Sequence, residues 1–248
     1  MSGADASVSN APDAPDFPAV QPDRTAAFIA AVREGLAPLA DPERASGQAA
    51  YLKTDEPMLG ARVPDVRRVA RSAAKSAEFA STDELIAAAR TLWDGARNRE
   101  ERRAAIGLLQ APVVKHLVTP AVMDLVRHMV TTGAWWDLVD DLVKMQLIVR
   151  AHDRPGEDAR MREWARDADM WVRRYAILHQ LQAKTATDTV LLADVIGPNA
   201  GDGEFFIRKA IGWALRDYAK TDPEWVREYL ADHPELSPLS RREAAKHL

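Results

Sequence analysis

Apolar residues along this chain recur at helical spacing almost throughout, and no convincing run alternates apolar with polar positions, so the pattern predicts helices and no strands. Starts are predicted after Asp41 with Pro42, at Pro64, after Ser81 or Thr82, near Asn98, at Thr119 with Pro120, and near Ala134. Further starts are predicted near Gly156, Asp169, Thr187 and Gly203, at Asp222 with Pro223, and at Ser237 with Pro238. A polar cap followed by proline marks a start because the cap accepts an orphan N–H and proline has none to lose. Residues 1–24 hold four prolines and almost no periodicity, and read as a disordered acidic tail ahead of one folded domain over 25–248.

The helices repeat. In steps of 35, Arg68, Arg103, Arg173 and Arg208 share one slot, within VRRVARSA, RRAAIGLL, VRRYAILHQ and IRKAIGWAL. The vacant step falls on Leu138, inside WWDLVDD at residues 135–141. Two residues on, the count gives Ala70, Ala105, Asp140, Tyr175 and Ala210, so the central copy alone carries a carboxylate there. A two-helix unit of this length predicts an all-α fold, an α-solenoid with a concave surface suited to a long partner. Trp93 and Trp164 lie 71 apart, near two repeats, and are expected in the core. Trp136, Trp171 and Phe206 also follow the 35 step, so repeat packing competes with any functional role for Trp136.

Composition changes this picture only at its edges. An apolar fraction of 47% in 248 residues supports a real core, and no apolar run approaches the ~20 residues that span a bilayer. The start MSGADASVSN has neither the basic nor the apolar region of a secretory signal. With no cysteine, disulfides and thiolate chemistry are excluded, and the expectation is a soluble cytoplasmic protein. The net charge of −4 argues at first against nucleic acid, but residues 1–24 carry −3 of it and leave −1 on an arginine-dense body.

Candidate chemistry centres on two segments. Trp136 and Asp140 stand at i and i+4 on one helix face, while Leu138, Leu142, Met145 and Val149 make an apolar stripe on another. Asp137 suits a first helical turn by its dipole; Asp140 gains less there, which favours a function for it. Lys209, Trp213, Arg216 and Lys220 fall on one stripe that interleaves cations with an indole, a combination suited to phosphate and sugar. A solvated basic face with one packed tryptophan is the plainer reading of that stripe. Histidine spacings and the absence of cysteine speak against a zinc site, and no phosphate-binding glycine loop or nucleophile elbow occurs. An enzyme of this composition is expected to work with a carboxylate and aromatic side chains, without metal or cofactor.

The segments YLKTDEPMLGARVPDVRR (51–68), WWDLVDD, DMWVRRYAILHQLQ (169–182), EFFIRKAIGWALRDYAKTDPEWVREY (204–229) and LSPLSRREAAKHL (236–248) resemble the AlkD-like DNA alkylation repair family, in order from about residue 26 to the end. The resemblance implies a C-shaped solenoid of HEAT-like repeats that cradles double-stranded DNA and hydrolyses the glycosidic bond of N3- or N7-alkylated purines, as a monomer without lyase activity or base flipping. It implies Asp140 as catalytic carboxylate with Trp136 and Trp213 beside it, and Arg174, Arg216, Tyr51 and Lys53 as DNA-binding residues, to which the stripe on its own adds Lys209 and Lys220. It implies no membrane or protein partner. A non-catalytic binder of distorted DNA and a protein-interaction scaffold remain the alternatives.

Overall fold

The computed structural model describes residues 23–248. Among them, fourteen α-helices and short 3-10 turns follow one another with no strand, as the periodicity predicts. They are α1 (Arg24–Leu36), α2 (Pro42–Leu52), α3 (Val63–Ala77), α4 (Thr82–Asp94), α5 (Arg99–Leu109), α6 (Met123–Gly133) and α7 (Trp136–Leu142). The second half comprises α8 (Gln146–Arg150), α9 (Arg154–Trp164), α10 (Met170–Leu178), α11 (Thr189–Ile196), α12 (Phe205–Ala219), α13 (Pro223–Asp232) and α14 (Pro238–Ala244).

Local chemistry sets the starts. Asp23, Asp41, Ser81, Asn98, Asp153, Asp169, Asp188, Asp222 and Ser237 each accept a hydrogen bond from a first-turn N–H. Such a cap is worth about 1 kcal/mol. Expected starts agree within two residues, apart from the one at Thr119, where a 3-10 turn (Pro120–Val122) precedes α6. Two helices were not expected. The first is α1, capped by Asp23 and starting at Arg24, two residues that the sequence pattern places in the tail. The rest of that expected tail, residues 1–22, lies outside the described residues. The second is α8, split from α7 by a 3-10 turn at Val143–Met145. The stripe of Leu138, Leu142, Met145 and Val149 is nevertheless fully buried across that break.

Packing arranges the helices in two rows, as a solenoid requires. In the inner row α3 packs on α5, α5 on α7, α7 on α10, α10 on α12 and α12 on α14. Behind it α1 packs on α4, α4 on α6 and α9 on α11, with α13 behind α12. Helix α3 shows how one helix serves both core and surface. Val66, Val69, Ala70, Ala73, Ala74 and Ala77 bury one face, and the small residues admit a close neighbour. Trp93 and Trp164 are core residues, 1% and 4% exposed, as their spacing predicts.

The last inner pair is unusually close. A Cβ on Gly212 of α12 would lie 2.4 Å from Glu243 Cβ and 2.8 Å from Ser240 O of α14. Gly212→Ala should therefore destabilise the protein by about 1–3 kcal/mol despite alanine's better helix propensity, because overpacking outweighs that gain; denaturant unfolding of the two proteins measures it.

Candidate functional site

The two tryptophans of WWDLVDD part company at the helix start. Trp135 is the N-cap of α7 with extended backbone (φ −151°, ψ 145°), and Trp136 is the first helical residue. Trp135 turns into the repeat core, its ring centroid 5.9 Å from Trp171 and 5.4 Å from Phe206, which themselves lie 4.9 Å apart. The packing slot that the 35-residue count assigns to Trp136 is thus filled by its neighbour. Trp136 instead lines a cavity of about 500 Å³. There it meets Tyr51, at the end of α2, edge to face with centroids 6.0 Å apart.

Asp140, one turn along α7, lines the same cavity, as does Trp213 of α12. Its carboxylate is held by Arg174 of α10, which donates from Nε to Oδ1 at 2.8 Å and from Nη2 to Oδ2 at 2.7 Å. The third arm of that guanidinium, Nη1, donates to Phe206 O at 2.6 Å, tying α12 to the same pair. Arg174 is buried and all three of its guanidinium nitrogens are engaged within the protein. Burial pushes the Asp140 carboxyl above the ordinary aspartate range; Arg174 opposes this without cancelling it, and the charges of Asp137 and Asp141 add to it.

The other two acids of the motif are occupied. Asp137 does sit in the first turn, but its carboxylate is bonded by Arg99, through both Nε and Nη2, and by Arg103 Nη2 at 2.6 Å. Ion pairing therefore outweighs the dipole that the sequence offers as its purpose. Asp141 is reached by Arg67 Nη2 at 2.6 Å, Lys144 Nζ at 2.7 Å and Arg103 Nη1 at 3.6 Å. These cations hold it below its usual range, against the upward push of burial. The fourth carboxylate in the wall, Glu100, accepts the N–H groups of Leu59, Gly60 and Ala61 at 3.0, 2.8 and 3.2 Å. It thereby closes the loop before α3, where Gly60 takes φ +83°.

Two features of the charge distribution bear on the site. The cavity wall carries Arg67, Arg99, Arg103 and Lys144 against Glu100, Asp137, Asp140 and Asp141, so it is charge-balanced and not lined by cations. The arginines of the 35-residue slot do not form a common row for phosphate either. Arg103 is tied to Asp137 and Asp141, and Arg173 donates to Asn199, Asp167 O and Asp202. Arg68 pairs only with Asp65 at an exposed site, and among the described residues no side-chain hydrogen bond or ion pair engages Arg208.

Of the expected DNA-binding residues, only Tyr51 lines the cavity. Lys53 is exposed at the left-handed end of α2 (φ 52°). Lys209 and Arg216 flank Trp213 on α12 and both pair with Glu243 of α14, at 3.0 and 3.1 Å. Lys220 lies beyond them and pairs with Asp217 at 3.1 Å. Sequence reasoning missed Arg67, Arg99, Arg103 and Lys144 as partners of the central acids. The available signal was REERR at 99–103, a dense charge run opening an otherwise apolar helix.

The sequence model described as DNA alkylation repair enzyme matches residues 32–248. The chain belongs to the DNA alkylation repair enzyme family. It is similar to a predicted DNA alkylation repair enzyme from Enterococcus faecalis at 30% identity and a TM-score of 0.75, covering 84% of this chain and 96% of that one. It is also similar to Pseudomonas fluorescens alkylpurine DNA glycosylase AlkC bound to DNA containing an abasic site analog, at 19% identity and a TM-score of 0.46, over 90% of this chain and 61% of that one. No curated protein matches the chain. Among the described residues of this DNA alkylation repair family member, no helix is long and apolar enough to cross a membrane.

The pair at the centre of the site has a measurable pH signature. Removing Arg174 leaves a buried carboxylate without its counter-ion, which costs about 3–5 kcal/mol. Asp140 titrates above its unfolded value, so its ionisation disfavours the fold, and stability is lost as pH rises through the folded pKa. Without Arg174 that pKa rises further. The deficit of Arg174→Ala relative to the parent should be largest at neutral pH and shrink as acid protonates Asp140; denaturant melts across this range check it.

Proposed function

We propose that this protein is an alkylpurine DNA glycosylase that hydrolyses the N-glycosidic bond of cationic N3- or N7-alkylated purines in duplex DNA. The observation that carries the reading is Asp140, a carboxylate paired with Arg174 alone and set in a cavity with Trp136, Trp213 and Tyr51. The other acids of the wall are taken by cations or backbone N–H groups, so no second carboxyl stands ready as a general acid.

One acid suits this substrate class. Glycosidases need a second carboxyl because an ordinary leaving group must be protonated. A purine alkylated at N3 or N7 already bears positive charge and departs as a neutral base. As the bond stretches, the sugar becomes oxocarbenium-like; Asp140 stabilises that cation and orients the attacking water. The indole faces of Trp136 and Trp213 attract the same developing charge, by ~0.5–2 kcal/mol per contact. Arg174 keeps the carboxylate from rotating away, and the arrangement acts on the sugar without drawing the base into a separate pocket. Lys144, the one lysine in the wall, has its ammonium bonded to Asp141, consistent with base release without lyase chemistry. Water is the only co-reactant, and every residue named comes from one chain, so a monomer suffices.

The balanced charge of the cavity wall favours a second reading, a cradle that holds distorted duplex DNA without cutting it. One experiment separates the two. The purified protein should release 7-methylguanine from methylated duplex, and Asp140→Asn should lower the rate on the order of 10²–10³-fold with DNA affinity little changed. A variant as active as the parent overturns the role of Asp140, and a parent that binds but never releases base supports the cradle. The rate should also fall as pH drops through the raised pKa of Asp140, because the carboxylate is the working form.

A further inference from the structure

Beside the cavity, Lys209 and Arg216 of α12, Glu243 of α14 and Lys246 of the 3-10 turn that follows it meet in one cluster. Glu243 receives Lys209 Nζ at 3.0 Å on Oε1, Arg216 Nη1 at 3.1 Å on Oε2, and Lys246 Nζ at 2.9 Å on both oxygens. One carboxylate thus gathers three cations, which leaves the cluster at a net +2, whereas the cavity wall balances four against four. The Glu243 side chain is only 10% exposed, while those of Lys209, Arg216 and Lys246 are 37%, 25% and 50% exposed. The acid sits inside and the cations stand outside it. Its neighbours Lys246 and Lys209 hold its carboxyl down to about 2, so it stays ionised throughout the physiological range.

The backbone fixes the cluster relative to the cavity. Gly212, against which Glu243 packs, directly precedes Trp213, and Trp213 lines the cavity between Lys209 and Arg216 on the same helix. Any shift of Glu243 would therefore move the two cations that bracket the cavity indole. An exposed patch of like charge beside a neutral cavity attracts a polyanion's backbone and carries no information about which base lies within.

We infer that Glu243 is a positioning residue that sets how strongly this face holds undamaged DNA: it aligns Lys209 and Arg216 on either side of Trp213 and restrains their field. The inference rests on the DNA reading proposed above. Without the acid, three cations would face the phosphates uncompensated, and the protein would cling to unmodified duplex at the expense of discrimination.

Full-length parent, Glu243→Gln and Lys246→Gln are titrated by fluorescence anisotropy against an unmodified duplex between about 50 and 200 mM salt. Each net charge added or removed at the contact changes the slope of log affinity against log salt by about 0.9. Glu243→Gln should steepen that slope by about 0.9 and tighten binding roughly 5- to 10-fold near 0.1 M salt, with a smaller rate advantage of methylated over unmodified DNA. Lys246→Gln should make the slope shallower by about 0.9. A purely structural Glu243 would lower the melting temperature and leave the slope unchanged; that result overturns the inference while DNA binding by the parent stands. Should Glu243→Gln fail to fold, an unchanged slope for Lys246→Gln overturns it equally. A parent that binds no duplex removes the DNA reading and this inference together.

Discussion

A carboxylate and a guanidinium, Asp140 and Arg174, meet two-pronged at the junction of three inner helices, and the rest of the site is arranged around that contact. Because the third arm of Arg174 ends on Phe206 O, the pair fixes α7, α10 and α12 in one relation. Burial alone would neutralise the acid and turn it into a hydrogen-bond donor, useless for stabilising a cation. Arg174 alone, fully exposed, would hold it loosely. The observed compromise keeps a fixed carboxylate that is still raised above its ordinary range, and so retains an unsatisfied preference for positive charge.

That compromise depends on where the other charges go. Asp137 and Asp141 bracket Asp140 along one short helix, and both raise its pKa. Were they unpaired, three negative charges would repel across a few ångströms in a partly buried site. Arg67 of α3, Arg99 and Arg103 of α5 and Lys144 of the turn after α7 prevent this by pairing with the flanking acids, leaving Asp140 to Arg174 of α10. The run of acids is thus divided by helix geometry: Asp137 and Asp141, one turn apart, share Arg103 of α5, while Asp140, about 100° round from Asp141, meets Arg174 of α10.

Much of the fold was legible because its signals are local. Caps at Asp41, Ser81, Asn98, Asp222 and Ser237 and the prolines beside them mark helix starts through hydrogen bonds within one turn. The start of α1 was not, since Asp23 and Arg24 follow an acidic, proline-rich stretch that masks an ordinary cap. The repeat count found the slot that sets Asp140 apart but misread its surroundings. Arg103 and Arg173 look like a row for phosphate until the chain folds and brings acids to them from 34 and 29 residues away. Repeat packing competes for Trp136 in the sequence because the count is off by a single residue: the extended cap at Trp135 rotates the register just where the count assumes continuity. The Asp140–Arg174 contact spans 34 residues, and helical periodicity carries no information about pairs between helices.

Separating the charge-balanced cavity from the cationic cluster at Glu243 has a physical logic. On the reading proposed above, a uniformly basic groove would bind any duplex and would also repel a positively charged lesion. The Glu243 cluster carries a net +2 to one side, while the cavity wall is neutral overall and carries a carboxylate at Asp140. Under that reading, phosphates would be recognised where they do not oppose the chemistry, and the cation would meet a carboxylate whose neighbours are already neutralised. This also accounts for a body of almost no net charge in a family that acts on DNA: discrimination within the site requires local contrast in sign, and a large overall charge would blur it.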